Sequence, residues 1–208
     1  MGLPISFVNA LTDHVRAELP ANDDSIFEIY VWFIEWLTAD PLRLLILFRK
    51  ASICSMLNVK PMEISWSEIA TKFDSITGLT SLWISGETFE TIQAATEAKR
   101  TGRCEKARQF ALRLIPELSF ACGLVSQVSR SIKKEEDWEY EIPGTVQAFA
   151  SCIKEGFDMP SKLAIRLLKP NLTRIECHQL HSQVIASDPP DENADFKSII
   201  NGVRNLIG

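Results

Sequence analysis

The sequence predicts an all-α protein, organised as a multi-helix bundle of two packed helical subdomains. Apolar residues recur at i, i+3, i+4 and i+7 through most of the long segments, which is the spacing of one buried helical face. Glycine is scarce, at 9 of 208 residues, and helix-capping residues stand before several of the periodic stretches. With 46% apolar and 24% charged residues, the composition is that of an ordinary globular protein.

The first part of the chain predicts three helices. Residues 1–19 form a weakly periodic helix that ends at Pro20, residues 25–38 form the second, and residues 40–58 form the third. The second and third helices are apolar nearly all round. That pattern favours the buried centre of a bundle, and the alternative is an exposed surface that docks a partner.

Capping boxes mark two helix starts further along the chain. Ser65 with Glu68, and Thr173 with Glu176, each provide a hydroxyl cap and a carboxylate three residues later. After the first box, Gly78 predicts a break before a short apolar run, and a helix over 88–99 follows.

A basic amphipathic helix begins near residue 103, meets Pro116 and continues as an apolar segment to Gly123. The helical spacing assigns one buried face to five apolar residues, Ala107, Phe110, Ala111, Leu114 and Leu118. We expect this helix to form part of the core of the bundle.

The C-terminal part of the chain predicts short helices joined by tight turns. The helix over 145–155 ends at Gly156, which suits a left-handed C-terminal cap. The acidic segment 187–195 is typical of a linker, and the final helix, 196–206, must dock on this chain or on a partner. We therefore expect three units, 1–134, 143–186 and 187–208.

Net charge, cysteine content and hydropathy indicate which compartment and which classes of partner to expect. The net charge of −5 provides no overall cationic field for nucleic acid. Five scattered cysteines without a CxxC pair predict reduced thiols in a cytoplasmic protein. The apolar segments 26–37 and 42–57 are too short or too charged to span a bilayer, so we expect no membrane partner.

Sequence motifs for catalysis are missing. The chain has no GxxxxGK[ST], GxGxxG, GxSxG or HExxH, and only three histidines, His14, His178 and His181. Cys177 and His181 share a helical face, but a structural zinc site needs four ligands and no second pair is visible. We expect no enzymatic activity, no cofactor and no metal.

The remaining candidate site is a local cluster of cations on a chain of net negative charge. Three interpretations fit such a cluster: a solvated helix flank, a phosphate-contacting edge, or a surface that docks an acidic partner. The candidate nucleic-acid-binding residues are Arg100, Arg103, Lys106, Arg108 and Arg113.

Three segments resemble the C-terminal helical region of Ski2-like superfamily 2 helicases of the DEAD/DEAH type. The run LWISGETFETIQ at 82–93 is similar to a Trp-x-x-Gly-x-x-hydrophobic-x-x-Ile pattern in that region, and FALRLIPELSFACGLVSQV at 110–128 resembles the helix that follows. The segment 148–180, AFASCIKEGFDMPSKLAIRLLKPNLTRIECHQL, resembles the end of large bacterial helicases, some of them associated with defence.

The resemblance implies a helical region that packs behind two motor domains and touches single-stranded nucleic acid with one helix. It implies that the cationic edge faces the strand and holds its backbone while a motor moves it. This chain departs from the family in lacking the ATPase motifs. We therefore expect a non-catalytic accessory region whose partners are helicase motor domains, in the same or a separate chain, and single-stranded nucleic acid. The alternative is an all-helical protein–protein interaction adaptor, and a weaker one is a small-molecule-binding bundle.

Overall fold

The computed structural model of the protein describes residues 2–18, 25–96, 104–136, 142–192 and 194–208. These residues form helices joined by turns, with no strand among them, so the predicted all-α multi-helix bundle is confirmed. The helices are α1 (Ile5–Glu18), α2 (Ile26–Thr38), α3 (Pro41–Leu47), α4 (Lys50–Met56), α5 (Trp66–Thr71), α6 (Asp74–Ile84), α7 (Phe89–Ala95), α8 (Glu105–Gln109), α9 (Ile115–Glu136), α10 (Gly144–Glu155), α11 (Pro160–Leu168), α12 (Arg174–Leu180) and α13 (Phe196–Ile207). Five-residue π-turns follow α8 and α12, at Phe110–Leu114 and His181–Ile185.

Helix α2 lies in the core, as its apolar composition predicts. A capping box starts it, because the Ser25 hydroxyl accepts from the Glu28 N–H and the Glu28 carboxylate accepts from the Ser25 N–H. The Tyr30 and Thr80 hydroxyls share a buried hydrogen bond of 3.1 Å. Burial covers most of the apolar side chains of α2, namely Ile26, Ile29, Tyr30, Phe33, Ile34, Trp36 and Leu37. These side chains are core and are not a surface for a partner.

The prediction of one helix over 40–58 is wrong, because the chain forms α3 and α4 with a break at Phe48 and Arg49. Both residues have extended backbone, with φ of −121° and −78°. The Arg49 N–H donates to Glu117 Oε2 at 3.1 Å, so a carboxylate 68 residues away caps the start of α4. The sequence has no glycine or proline at this break. The break is stabilised instead by the Glu117 carboxylate, which lies on another helix.

The predicted break at Gly78 is also wrong. Helix α6 passes through Gly78 and includes the apolar run that follows it. Gly78 is exposed, while Ile76, Leu79 and Thr80 beside it are buried. Burial of this face outweighs the cost of about 1 kcal/mol that glycine carries in a helix.

In the longest helical stretch a π-turn precedes Pro116 and changes the hydrogen-bond register there. Pro116 has no N–H, and its ring would crowd the carbonyl four residues earlier in a regular helix. Immediately before it, the Ile115 N–H bonds to the Phe110 carbonyl and closes the π-turn. The changed register leaves Ala111 only half-buried, against the prediction, and adds Ile115 to the buried face. The buried side chains of this part are Ala107, Phe110, Leu114, Ile115 and Leu118.

Helix α10 packs along α9 and joins the predicted N-terminal and C-terminal units. The Ser119 hydroxyl donates to Ala150 O at 2.9 Å, and the Ser126 hydroxyl donates to Val146 O at 2.6 Å. One hydrophobic cluster runs through both segments. The division into 1–134, 143–186 and 187–208 remains a prediction, and the first two of these segments share an interface.

The acidic segment before α13 is docked on the bundle. The Gly144 N–H donates to Ala194 O at 3.0 Å, and the Ser161 N–H donates to Glu192 Oε2 at 3.0 Å. Helix α13 then packs on α10 and α11, with Ile199 fully buried. The Glu192 carboxylate caps the start of α11, and Gly144 has no side chain to keep the backbone of Ala194 away. These two contacts hold a segment whose composition is that of a linker.

Candidate nucleic-acid interface

The structure describes three of the five predicted cationic site residues, since Arg100 and Arg103 lie outside the described residues. Lys106 and Arg108 belong to α8, and Arg113 belongs to the π-turn after it. The helical core residues Ala107, Phe110 and Leu114 fix the side of the bundle on which these three cations lie. The three side chains have different surroundings.

Lys106 makes a hydrogen bond within the protein and stabilises the fold. Its ammonium Nζ donates to the backbone carbonyl of Ser55 at 2.6 Å, and its side chain is half-buried. Beside it, the Ser55 hydroxyl donates to Gln109 Oε1 at 3.1 Å. A charged donor thus satisfies a carbonyl in the last turn of α4, which ties α4 to α8.

Arg108 is exposed on the flank that faces α7. The carboxyl of Glu90 there has a lowered pKa, first through a hydrogen bond from its own backbone N–H, then through Thr88 and Cys104, and last through the charge of Arg108. Cys104, whose thiol donates to Glu90 Oε1 at 3.7 Å, has left-handed backbone with φ of 46° just before α8. Arg108 therefore lies near one carboxylate without being buried by it.

Arg113 is exposed and makes no hydrogen bond or ion pair within the part of the chain that the structure describes. One turn further on, Glu117 accepts from Arg49 Nε at 2.6 Å and from the Ser52 hydroxyl at 2.8 Å. Glu117 is thus neutralised by a different arginine, whose own side chain is 75% exposed. Arg49 is a cation of this surface that the sequence pattern does not reveal, because it lies 68 residues from its partner.

The exposed face of the stretch from Glu105 to Lys134 is predominantly cationic and apolar. Within these positions Glu105 is the one exposed acid, and Leu112 and Phe120 are exposed by 77% and 56%. The exposed residues are Glu105, Arg108, Leu112, Arg113, Pro116, Phe120, Gln127, Arg130, Ser131 and Lys134.

The same stretch, Glu105–Lys134, is long and apolar enough to cross a membrane, with a mean hydropathy of 1.2 in its most apolar window. Of that window, 44% is buried inside the bundle, where α9 packs on α1 and α10. Core helices meet the same criteria of length and hydropathy as spanning helices. The prediction that the protein has no membrane partner remains a prediction.

A buried polar cluster lies between α11, the π-turn after α12 and the segment before α13, and it was not predicted as a unit. The Ser161 hydroxyl and His181 Nε2 are joined by a 3.0 Å hydrogen bond, while the Ser161 N–H donates to Glu192. Ser161 is fully buried, and 5% of His181 is exposed. A serine beside a histidine is a pairing used in nucleophilic catalysis, but here both side chains are buried and the segment that precedes α13 is bonded to Ser161. We interpret the cluster as structural.

Burial controls the titration of this cluster. It lowers the pKa of His181, with a further contribution from the charge of Lys162. It also lowers the pKa of His178, whose Nε2 donates to Gly156 O at 3.0 Å, and it raises the pKa of the Glu192 carboxyl. In all three groups the uncharged form is favoured, as expected where solvation is lost.

No group of three or more His, Cys, Asp or Glu side chains that could hold a metal ion occurs in the described ranges. Cys177 is buried, and the His181 Nε2 is bonded to Ser161. Two surface cavities, of about 430 and 420 Å³, lie elsewhere, beside α2 and α5 and between α10 and α11.

Comparison of the chain with protein-family models, with curated proteins and with solved structures gave no match.

Proposed function

We propose that this chain is a non-catalytic helical accessory module of a nucleic-acid helicase, which contacts the backbone of a single strand and packs on the motor domains. One observation carries the proposal: Arg108 and Arg113 are exposed on one helical stretch, where Glu105 is the one exposed acid among the described positions up to Lys134. The resemblance of three segments to the helical region of such helicases supports it.

The module acts passively under this proposal. Exposed guanidinium groups contact phosphates without reading bases, so binding is independent of sequence and weakens as salt rises. A motor elsewhere supplies the movement, because the sequence has no ATP-binding loop. Arg100 and Arg103, the remaining members of the predicted set, would add further phosphate contacts.

The test measures binding of fluorescent single strands of DNA and RNA, about 20 nucleotides long, by anisotropy over a range of salt concentrations. The variant is Arg108→Ala/Arg113→Ala, and Arg204→Ala on α13 is the matched control, since it also removes an exposed arginine. We expect the site variant to lower the slope of log K against log salt by about 0.7 for each phosphate that the protein no longer neutralises, and the control to leave the slope unchanged.

Lys106 is unsuited to this test because its ammonium holds the Ser55 carbonyl, so its loss would also perturb the fold. A separate Arg100→Ala/Arg103→Ala variant measures the contribution of the rest of the predicted set. Absence of binding at low salt, or binding that the variants at 108 and 113 do not change, would exclude these residues as the contact.

The second candidate function is a protein–protein interaction adaptor without a nucleic-acid role. In its predicted docking surface, helices over 25–57, the apolar residues of α2 are mostly buried, whereas Leu42 and Leu45 of α3 are 64% and 51% exposed. A different surface favours this candidate, the exposed apolar side chains of the long helical stretch.

A further inference from the structure

Three exposed residues of the long helical stretch form a short apolar ridge, which we define as Leu112, Pro116 and Phe120. They are spaced four residues apart, so they line up along one face on either side of the π-turn boundary. Leu112 is 77% exposed and Phe120 is 56% exposed. Residues eight apart span about 12 Å of helix, which equals roughly two turns of a partner helix.

The rim of the ridge is cationic. Arg108 lies four residues before Leu112, Arg113 follows it, and both are exposed. Glu117, the acid within the ridge segment, is neutralised by Arg49 through a 2.6 Å ion pair, and 75% of the Arg49 side chain is exposed. The ridge is thus bordered by two exposed arginines, Arg108 and Arg113, and by an Arg49–Glu117 ion pair that carries no net charge, on a protein whose overall charge is −5.

We propose that this ridge docks an acidic amphipathic protein helix, whose apolar side chains cover Leu112, Pro116 and Phe120 and whose carboxylates face the arginine rim. Helices that lie on a partner use apolar anchors at such spacings, and opposite charges at the rim set the orientation and raise the association rate. The proposal shares Arg108 and Arg113 with the proposed nucleic-acid contact, and its apolar anchors, Leu112, Pro116 and Phe120, are what distinguish it.

The chemistry of the ridge argues against other occupants. A symmetric contact between two copies would place the arginines of both ridges in one interface, and Glu105 is the one exposed acid among the described positions from 105 to 134 that could pair with them. Base stacking on a single strand needs aromatic faces, and the ridge offers one, at Phe120. A helix that lies in a membrane surface exposes an apolar face along most of its length, whereas here the other apolar side chains of the stretch are buried or half-buried in the bundle.

The experiment uses the full chain and two labelled synthetic peptides of about 20 residues, long enough for partial helix formation. Both peptides carry leucine at i, i+3, i+4 and i+7, flanked by glutamate in one and by lysine in the other. Fluorescence anisotropy measures their binding to the wild-type protein, to Leu112→Asp/Phe120→Asp, and to the matched control Leu167→Asp. Leu167 is 57% exposed on α11, so the control adds an aspartate, one against the two of the ridge variant, at a similarly exposed leucine elsewhere.

We expect the glutamate peptide to bind and the lysine peptide not to bind. The ridge variant should weaken binding by about tenfold or more, as the loss of anchor side chains does, while the control binds like the wild type. Circular dichroism melting should show all three proteins folded, since the substituted side chains are exposed.

Several outcomes would overturn the proposal. These are equal binding of the two peptides, no binding of the glutamate peptide, or equal weakening in the Leu167→Asp control. Ridge-dependent binding of oligo-dT, of phosphatidylserine vesicles or of a second copy, in place of the peptide, would assign the ridge to that occupant instead. Because Arg108→Ala/Arg113→Ala removes the rim, it should also weaken binding of the glutamate peptide, and unchanged peptide binding in that variant would refute the role of the rim. Absence of nucleic-acid binding by the wild type would refute the proposed function and would leave the ridge result unaffected.

Discussion

Two polar regions of this protein differ in what their polar groups do. Along the seam between α4 and the long helical stretch, Lys106 and Glu117 cross-link two helices near the surface, and Arg113 reaches solvent. At the corner formed by α11, α12 and the segment before α13, Ser161 and His181 satisfy one another inside the bundle. Polar groups that already hydrogen-bond within the protein, as Lys106 and Ser161 do, are not available to a partner, whereas the exposed guanidinium of Arg113 is.

The largest expected effect is at the close approach that docks the C-terminal segment. A side chain at Gly144 would collide with the Ala194 carbonyl and approach Ile199 Cδ1 to 2.5 Å. We expect Gly144→Ala to destabilise the protein by about 1–3 kcal/mol, measured by urea unfolding. The matched control is Gly78→Ala, where an added Cβ meets nothing within 4 Å and should stabilise α6 by about 0.5–1 kcal/mol.

Removal of the Ser161 hydroxyl tests the buried corner directly. Ser161→Ala leaves the His181 Nε2 without its partner inside the protein, so we expect a loss of about 1–3 kcal/mol in the free energy of unfolding. Ser182→Ala, at an exposed serine of the adjoining π-turn, is the control and should change stability by less than about 0.5 kcal/mol. Equal stability of the two variants would refute the structural interpretation of the cluster.

The corner should also make stability depend on pH. The lowered pKa of His181 and His178 means that, below about 6.5, the unfolded chain binds protons before the folded chain does. Stability is therefore fully present above that pH and falls as pH decreases through it toward the lowered folded values. Denaturant unfolding between about pH 7 and 5.5 should show a smaller decrease for His181→Gln than for the wild type.

Glu192 contributes with the opposite sign. Its raised pKa removes stability as pH rises from 4.5 toward the folded value. This contribution is common to the wild type and to His181→Gln, so the difference between their slopes isolates the histidine. Parallel slopes would show that His181 titrates alike in the folded and unfolded chains.

On the exposed seam, Lys106→Met keeps the length of the side chain and removes the donor to Ser55 O. We expect a loss of about 1–2 kcal/mol, because the carbonyl is left without a charged partner. Chemical denaturation measures the loss, and a value near zero would show that solvent replaces the lysine at no cost.

The smallest effect is expected at Arg113. Because this side chain is exposed and makes no ion pair within the described residues, Arg113→Ala should change the free energy of unfolding by less than about 0.5 kcal/mol. The contrast with Lys106 separates a cation that is free to contact a ligand from one that the fold uses. A loss comparable to that of Lys106→Met would remove the distinction.

The sequence predicted a structural feature well where the contacts that stabilise the feature are between residues close together in the chain. The capping boxes at Ser65–Glu68 and Thr173–Glu176 are present, and Gly156 caps α10 with φ of 79°. The buried core positions of the long helical stretch are confirmed apart from Ala111. In each case the partners lie within one or two helical turns.

The candidate site was predictable only as a cluster of cations. Arg108 and Arg113 belong to the exposed face, but the engagement of Lys106 depends on Ser55, 51 residues away. Arg49 lies on this surface because its side chain bonds to Glu117. Leu112, Pro116 and Phe120 form a ridge only because the other helices cover the opposite side of the stretch. Composition cannot reveal such assignments, because they are set by contacts between distant segments.

By itself the sequence determined the helical class, most helix starts and stops, and the apolar faces, since propensity, capping and periodicity act over a few residues. Only the tertiary structure decided the break between α3 and α4, the docking of the acidic segment through Glu192, and the exposed side chains of the long stretch. Those features rest on hydrogen bonds and packing between residues far apart in the chain, and a carboxylate or a carbonyl acquires its partner only when the helices meet.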